Sequence, residues 1–296
     1  MTRIQKGVTL ALVTSILYGL MPFFSVPLQA EGVNHLSNLS ILFYRNLLGS
    51  LPLALIMLWK RISFRISLPE LITLIVLAGF SDGAALFQIE GYPPLLPTGI
   101  ATTIHFLYPV FTALIMMIFY KERCSRPTLV ALFMAVSGVA LLSWPTGDVN
   151  VKLLGIVFEL LSAICFALYI VRLNHSRVSR MDGTKLTFYI IFIGSLLFAG
   201  EGLRTNDLQP LTTPFQWEYI FVLGIVCTAI VNLLIVISTR LIGSTIASML
   251  GALEPLTAVI VGLLFMGERL TLTISIGILL VLSSVMLILH ASKKTS

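Results

Sequence analysis

The chain has 296 residues, of which 57% are hydrophobic and 11% charged, and its mean hydropathy is +0.99. A soluble globular domain has about 25% charged residues, so this composition excludes a water-soluble fold and indicates that lipid surrounds most of the chain. The net charge of +6 does not indicate nucleic-acid binding, because the positive charges lie at the ends of apolar segments. Cys124, Cys165 and Cys227 are isolated and form no CxxC pair, which argues against a disulfide framework or a zinc site.

Ten apolar segments follow one another, separated by short stretches rich in charge, Pro and Gly. Each approaches the length of about 20 residues that crosses a bilayer. Backbone groups in hydrocarbon must be satisfied within the segment, so these runs are predicted to be helices and not strands. The sequence therefore predicts an all-α polytopic membrane protein with ten transmembrane helices, at residues 7–29, 36–59, 69–91, 95–119, 127–144, 153–173, 185–203, 216–238, 241–266 and 271–290.

The placement of Lys and Arg predicts the orientation, because these residues are enriched in cytoplasmic loops. With a cytoplasmic N-terminus, only Lys152, Arg204 and Arg269 lie outside, and Arg45 lies within a span. We therefore expect both termini in the cytoplasm and, given the short loops, a multi-pass protein of a bacterial inner membrane. The predicted cytoplasmic residues are Arg3, Lys6, Lys60, Arg61, Arg65, Lys121, Arg123, Arg126, Arg172, Arg177, Arg180, Lys185, Arg240, Lys293 and Lys294.

The second half of the sequence repeats the first with a shift of 146 residues, so that Thr98–Arg123 aligns with Ser244–Arg269 without gaps. In this alignment Pro109 corresponds to Pro255, and the Glu-Arg pair at 122–123 corresponds to the pair at 268–269. Each copy contains five predicted helices, so the second copy must enter the membrane in the opposite direction. The sequence predicts a 5+5 inverted repeat of residues 1–146 and 147–296, which is a common plan of secondary transporters.

The sequence TGIATTIHFLYPVF at 98–111, followed by KER at 121–123, resembles the EamA-type family of drug/metabolite transporters. So does ASMLGALEP at 247–255, followed by GER at 267–269. The resemblance covers the whole chain as two EamA-like halves. It implies a ten-helix carrier, often an exporter of amino acids, related metabolites or drugs. One departure is that Tyr108 takes the position in the first half that Glu254 takes in the second, so the halves differ chemically.

Four ionisable residues lie well inside apolar segments, namely Arg45, Asp82, Glu159 and Glu254. Each costs about 2.5–3.5 kcal/mol at a helix centre on insertion scales, so each should have a partner or face a wet cavity. One interpretation is a buried structural network in which Arg45 neutralises a carboxylate such as Asp82. Three acids and one base cannot all pair, however, so at least one carboxylate is left for protons, water or a cationic substrate.

Glu254 is the first candidate for binding a substrate or proton, because it precedes Pro255, which frees a backbone carbonyl in the preceding turn. Alternatively, Glu254 only holds the kink. Ala247, Gly251, Glu254 and Ala258 share one face of a continuous helix. If the fourth and ninth spans line the centre, Glu254 meets the repeat-related His105 and Tyr108 there. A face of small residues can equally mean close helix packing.

His105 could titrate near neutral pH or simply be hydrogen-bonded beside its aromatic neighbours. Glu159, on the first helix of the second repeat, could couple to protons or be structural. Pro22 and Pro27 should bend or break the first helix, which makes this helix a candidate gate together with the kinks at Pro109 and Pro255. The sixth segment, which is the repeat counterpart of the first, contains no proline.

The favoured function is a secondary carrier of a small zwitterionic or cationic metabolite, with the lipid bilayer and protons as further partners. A channel, a facilitator or a lipid scramblase could use the same buried charges. No GxxxxGK[ST] phosphate loop, HExxH motif or GxSG site occurs in the sequence, which argues against an ATP-driven pump and an intramembrane enzyme. The four histidines are scattered, so no metal or other cofactor is expected.

Overall fold

The computed structural model describes residues 2–96, 98–142, 152–265 and 271–294, and all regular secondary structure in this part is helical. The predicted Glu268 and Arg269 at the end of the second repeat copy lie outside the described residues, as do the side chains of Lys293 and Lys294. The described helices join into ten consecutive segments that agree with the predicted spans to within a few residues.

Three segments are interrupted helices and are labelled as two halves. The segments are α1a (Arg3–Tyr18), α1b (Met21–Gln29), α2 (Asn38–Trp59), α3 (Leu68–Gly91), α4a (Thr98–His105), α4b (Tyr108–Tyr120), α5 (Arg126–Leu142), α6 (Leu153–His175), α7 (Gly183–Thr205), α8 (Pro214–Ile242), α9a (Ser244–Leu250), α9b (Leu253–Phe265) and α10 (Leu272–Lys294).

The outer surface of the bundle is apolar. Among the described residues, seven segments are long and apolar enough to cross a membrane, and the apolar helices Arg126–Leu142 and Leu272–Leu287 are shorter. Large hydrophobic side chains stand on the outside, and Trp59 (82%), Phe133 (75%) and Phe119 (75%) remain mostly exposed. A water-soluble protein rarely exposes apolar surface on this scale. The chain is therefore a polytopic α-helical membrane protein.

The helix breaks follow the prolines. α1 is interrupted at Gly19 and Leu20, just before Pro22, whereas α6 continues without a break over 23 residues. α4 is interrupted immediately before Tyr108 and Pro109, and α9 is interrupted at Gly251 and Ala252, before Pro255. A proline lacks an N–H and clashes with the preceding turn, so it favours the start of a new helix, although Pro27 and Pro52 lie inside α1b and α2. The prediction that the first helix is bent or broken is confirmed at Pro22, whereas α1b continues past Pro27 to Gln29.

The eighth segment contains a feature that the sequence does not predict. Residues Leu223–Ile230 form a π-helix between two α-helical parts. π-helical turns are rare and occur frequently at functional sites. This π-helix packs against α2, where Gly224 lies beside the backbone of Arg45 and Gly49. The small residues let the two helices approach closely, as is typical in membranes.

Four helix pairs dominate the packing of the bundle, namely α2 with α7, α5 with α10, α3 with α6, and α1 with α8. In addition, α2 packs on the π-helix of α8, and α3 packs on α7. The interrupted helices cross at the centre, where α9a contacts α4b and α9b contacts α4a. The breaks in α4 and α9 therefore lie together inside the bundle.

Polar contacts mark the two ends of the bundle. At one end, here called the basic end, Arg3 donates to the Arg240 carbonyl (3.3 Å), Arg240 donates to the Met181 carbonyl (2.7 Å), and Lys185 donates to the Arg65 carbonyl (2.5 Å). At the opposite end, the loop before α2 meets the loop after α7. The Ser37 hydroxyl donates to the Asp207 carbonyl (2.7 Å), and the Gln209 N–H donates to the Ser40 hydroxyl (2.7 Å).

Candidate functional site

In the described part of the structure, two cavities between the helices share Tyr18 in their linings. The first, here called the Glu254 cavity, is lined by Tyr18, Gly19, Met21, Pro22, Gln88, Tyr92, Thr102, His105, Phe106, Glu254 and Pro255. The second, the Arg45 cavity, is lined by Tyr18, Arg45, Asn46, Ser81, Asp82, Ala85, Phe166, Ile190, Ile191, Cys227, Thr228 and Asn232.

Glu254 and Tyr108, the chemically unlike pair of the predicted repeat, meet directly. The Tyr108 hydroxyl donates a hydrogen bond to Glu254 Oε1 (3.2 Å). Glu254 is 9% exposed and stands in the first turn of α9b, where the helix dipole favours a carboxylate. Gly251 makes room for this contact, because a Cβ at that position would overlap the Tyr108 hydroxyl.

The contact between Tyr108 and Glu254 does not depend on the helix face that the sequence predicted. That prediction placed Ala247, Gly251, Glu254 and Ala258 on one face of a continuous ninth helix, but α9 is interrupted at Gly251. The side chain of Ala258 lies outside the described residues. The interruption lets the Tyr108 side chain reach across to the start of α9b. Tyr108 and Glu254 of the fourth and ninth segments are thus in contact, and His105 lines the same cavity as Glu254, but the ninth segment offers no single continuous helix face.

His105 is buried at the end of α4a and faces the Glu254 cavity. Its Nδ1 lies 2.9 Å from the Ser162 hydroxyl, and that hydroxyl donates to the Ala84 carbonyl (2.6 Å). Because the Ser162 proton is used by Ala84, His105 must carry a proton on Nδ1 and donate to Ser162. Nε2 has no hydrogen-bond partner among the described residues, so it can accept one in the cavity.

An aromatic cluster separates the two cavities. The Tyr18 ring stacks on Phe166 with centroids 6.1 Å apart, and Phe166 packs edge-on against Tyr108 (4.8 Å). His105 contacts the same Phe166 ring at 5.6 Å. Residues of α1, α4 and α6 therefore form one wall. Any change in the position of Tyr18, at the break in α1, alters both cavities.

Arg45 is 6% exposed and reaches the second cavity from α2. Within the described part of the chain, its guanidinium makes one hydrogen bond, to Met21 Sδ (3.4 Å), and its Nε has no partner. Sulfur is a weak acceptor, so this contact satisfies little of the capacity of five N–H donors. Arg45 is therefore a buried cation that retains donors for another group.

Asp82 is also 6% exposed and faces the same cavity from α3. Its Oδ1 accepts a hydrogen bond from Asn46 Nδ2 (2.8 Å), whereas Oδ2 has no partner among the described residues. Gly194 of α7 lies against the carboxylate, and a Cβ there would overlap Oδ2. Asn46 thus holds one oxygen of the carboxylate, and the other packs against Gly194 without a hydrogen bond in the described part.

The described residues contain one ion pair within 4 Å, between the exposed Glu201 and Arg204. Arg45 and Asp82 line one cavity without forming such a pair, so the predicted direct neutralisation of Arg45 by Asp82 is absent from the described contacts. Glu159 and Glu254 likewise have no cation within this distance in the described part.

Glu159 is buried on α6, outside the lining of both cavities. Neither carboxylate oxygen has a hydrogen-bond partner in the described part, and a Cβ at Gly91 would overlap Oε1. The structure therefore places Glu159 outside the linings of these two cavities. Whether Glu159 takes part in proton coupling or has a structural role stays a prediction.

Several polar residues of the site were not predicted from the sequence, namely Tyr18, Asn46, Gln88, Thr228 and Asn232. Thr228 lies on the π-helix, is 3% exposed, and its Oγ1 has no partner among the described residues. Asn46 and Asn232 stand inside apolar segments, which is the signal that could have identified them. The described residues contain no group of three or more His, Cys, Asp or Glu that could hold a metal ion.

The substitution Gly251→Ala is expected to lower stability by about 1–3 kcal/mol, because the new methyl group overpacks against the Tyr108 hydroxyl. The backbone of Gly251 (φ −58°, ψ −14°) suits any residue, so the effect reports the contacts of the added methyl group with Tyr108 and with the Ser248 carbonyl. Adding Tyr108→Phe should recover only part of the loss, because it removes the overlap with the hydroxyl but also removes the hydrogen bond to Glu254. Thermal unfolding of the purified protein in detergent measures both. Gly79→Ala is the control, because nothing lies within 4 Å of a Cβ at Gly79. A Gly251→Ala protein as stable as the control would contradict the packing.

Comparison with known proteins agrees with this architecture. An uncharacterized transporter of Bacillus subtilis (strain 168), YvbV, is 26% identical over 203 residues, and this match spans 67% of the chain and only 65% of YvbV. An uncharacterized transporter of Haemophilus influenzae (strain ATCC 51907 / DSM 11121 / KW20 / Rd) is 25% identical over 283 residues, or 92% of the chain and 89% of that protein. A solved crystal structure superposes with a TM-score of 0.81 over 99% of both chains at 14% identity, which shows a shared fold.

The match to a protein family is broader than these pairwise similarities. Residues 5–144 and residues 153–290 each match the EamA-like transporter family. The two matches together cover most of the chain, and the similar proteins are named as transporters and not as enzymes. The protein is therefore a multi-pass membrane protein that belongs to the EamA-like transporter family.

Proposed function

We propose that the protein is a secondary transporter that moves a small metabolite, such as an amino acid, an amine or a related compound, across the membrane by alternating access. The observation that carries this proposal is the pair of cavities that meet at Tyr18 inside an apolar bundle. Both cavities are lined by buried ionisable side chains. Such residues are costly in a membrane and are typical of substrate and proton pathways.

The packing of the helices supports the predicted 5+5 inverted repeat. A pseudo-twofold operation that exchanges α1–α5 with α6–α10 converts the α3–α6 contact into the α8–α1 contact, and the α2–α8 contact into the α7–α3 contact. It maps α2–α7 and α5–α10 onto themselves. All these pairs pack together, and each half matches the same family. In a repeat of this kind, exchanging the conformations of the two halves exchanges inward-open for outward-open.

The interrupted helices supply the moving parts in this proposal. Half-helices can tilt about a break without losing the hydrogen bonds of either half. The breaks at Pro109 and Pro255 cross at the centre, next to Tyr108 and Glu254. The break before Pro22 positions Tyr18 between the cavities, and Pro27 ends α1b within one turn. We assign α1 the role of a gate, since α6, its counterpart, is continuous.

Proton coupling is proposed at Glu254. Its carboxyl group is buried, lines a cavity and is hydrogen-bonded by Tyr108, whose hydroxyl can donate whether or not Glu254 is ionised. His105 offers an unpartnered acceptor to the same cavity. A group that gains a proton when one side is open and releases it when the other is open couples the conformational cycle to a proton gradient.

We further propose that the basic end of the bundle faces the cytoplasm, with both termini there, in a bacterial inner membrane. Most Lys and Arg residues of the connecting loops belong to this end, as the positive-inside rule requires. The direction is proposed to be export, on the basis of the family resemblance.

Alkaline phosphatase is active only outside the cytoplasm, so fusions to it test the orientation. A fusion after Lys60 is expected to be inactive, because Lys60 follows α2 at the basic end. A fusion after Asn206 is expected to be active, because Asn206 follows α7 at the opposite end. Enzyme activity normalised to fusion abundance is the measurement. The reverse pattern would place the basic end outside.

Counterflow in proteoliposomes tests the carrier and Glu254 together. A panel of labelled amino acids and amines is expected to contain a compound that shows saturable exchange whose rate depends on pH. Glu254→Gln retains an acceptor for Tyr108 but removes the titratable group, so it should abolish the exchange or make it independent of pH. The initial rate at two pH values is the measurement.

Glu201→Gln is the matched control, because it makes the same chemical change on an exposed residue of α7. It should leave the exchange unchanged. Flux that rises linearly with concentration and shows no counterflow would instead indicate a channel, a facilitator or a lipid scramblase, and would overturn the carrier. Unchanged exchange in Glu254→Gln would indicate that the role of Glu254 is structural.

A further inference from the structure

We infer that the Arg45 cavity binds a small zwitterion, whose carboxylate binds the Arg45 guanidinium and whose ammonium group binds Asp82. This inference rests on the proposed function and assigns the substrate class to a defined pair of side chains. It concerns a different cavity from the one that contains Glu254 and His105.

Arg45 provides an anion-binding group without an anion among its described contacts. The side chain is 6% exposed, Nε has no partner in the described part, and the hydrogen bond from Nη1 goes to the weak acceptor Met21 Sδ. A guanidinium presents its donors in a planar fork that matches the two oxygens of a carboxylate. A carboxylate in the cavity would satisfy donors that are costly to leave unpaired away from water.

Asp82 provides the opposite charge on another wall of the same cavity. Asn46 holds Oδ1 at 2.8 Å, and Oδ2 is buried without a partner in the described residues. An ammonium group has three donors, so it can bind Oδ2 and still donate to a neighbouring oxygen. Thr228 also lines this cavity, and its Oγ1 is likewise buried without a partner in the described part.

The arrangement favours a ligand with both charges over a ligand with one. Arg45 and Asp82 line one cavity but are not within 4 Å of each other in an ion pair, so each retains its capacity for an outside group. A simple amine would satisfy Asp82 and leave the Arg45 cation uncompensated, and a simple carboxylate would do the reverse. Specificity then follows from the group that a wrong ligand leaves buried and unpaired.

The rest of the lining is suited to the uncharged part of the ligand. Phe166, Ile190, Ile191 and Ala85 contribute apolar surface, and Tyr18 lines both this cavity and the Glu254 cavity. The charged groups stand on α2 and α3, and the apolar groups stand mainly on α6 and α7. The site therefore spans both halves of the chain, so a bound zwitterion contacts the two halves that move against each other in alternating access.

The test uses the full-length protein in proteoliposomes and a pool of labelled common L-amino acids as probe. The amino acid with the fastest counterflow is then compared, as a competitor, with its decarboxylated amine and its deaminated carboxylic acid. The zwitterion is expected to compete at a concentration at least about tenfold lower than either analogue, because each analogue leaves one charged hydrogen-bonding group unpaired.

Two variants test separately the contact of Arg45 with the ligand carboxylate and the contact of Asp82 with the ligand ammonium group. Arg45→Gln should weaken competition by the zwitterion and the carboxylic acid by about tenfold or more, whereas the amine should compete at least as well as before, because the charge that it leaves unpaired is gone. Asp82→Asn should weaken the zwitterion and the amine, whereas the carboxylic acid should compete at least as well as before. The analogue that each variant retains shows that the variant is folded. Glu201→Gln should behave as the unmodified protein for all three compounds.

Other outcomes overturn the assignment. If each variant weakened competition by all three compounds equally, Arg45 and Asp82 would have structural roles. If competition did not change, neither residue would belong to the binding site. Exchange of amines or carboxylic acids but not of any amino acid would contradict the proposal that the ligand is a zwitterion, and it would still agree with the proposal that the protein is a carrier. Absence of counterflow with every compound, from protein that is monodisperse in detergent, would overturn the proposed function itself and this inference with it.

Discussion

The cost of holding charge inside a membrane governs the organisation of this protein. Lipid offers no hydrogen bonds, so an ionisable group within a span is costly unless it has a partner or faces a polar cavity. Arg45, Asp82 and Glu254 all line cavities, and none of them forms an ion pair within 4 Å in the described part of the chain. Glu159 is an exception, because it lines neither cavity and its carboxylate has no hydrogen-bond partner in the described part. In the proposed function, the three groups that line the cavities bind the substrate or protons.

The backbone places these groups by two devices that follow from the sequence. Prolines interrupt α1, α4 and α9, and the interruptions bring Tyr18, Tyr108 and Glu254 to the centre of the bundle. Glycines allow close approach, so that the π-helix of α8 packs on the backbone of α2 beside Arg45. The helix breaks of α1, α4 and α9 thus lie next to buried polar and ionisable groups, whereas Arg45 and Asp82 stand on the continuous helices α2 and α3. In the proposed carrier, ligand binding at these groups favours one conformation over another.

Periodic and repeated features could be predicted from the sequence, and individual side-chain environments could not. Hydropathy located the helices to within a few residues, and the repeat at a shift of 146 residues aligned Tyr108 with Glu254, which are hydrogen-bonded in the fold. The π-helix was missed, because Leu223–Ile230 is as apolar as any neighbouring stretch and hydropathy carries no information about hydrogen-bond register. The separation of Glu159 from both cavities depends on the rotation of α6, which only packing determines. The role of Tyr18 as a shared wall depends on where α1 breaks.

The central claim is that the Arg45 cavity lies on the path of the substrate, and Cys227 on the π-helix reports on it directly because this thiol lines the cavity. In a protein carrying Cys124→Ser and Cys165→Ala, Cys227 is the single thiol that remains. The rate at which N-ethylmaleimide labels it in proteoliposomes, with and without the exchanged amino acid, is the measurement. The account predicts that Cys227 reacts, and that the amino acid slows labelling with a half-maximal effect at the concentration that half-saturates exchange. A thiol that never reacts, or that reacts equally fast at saturating substrate, would contradict the account.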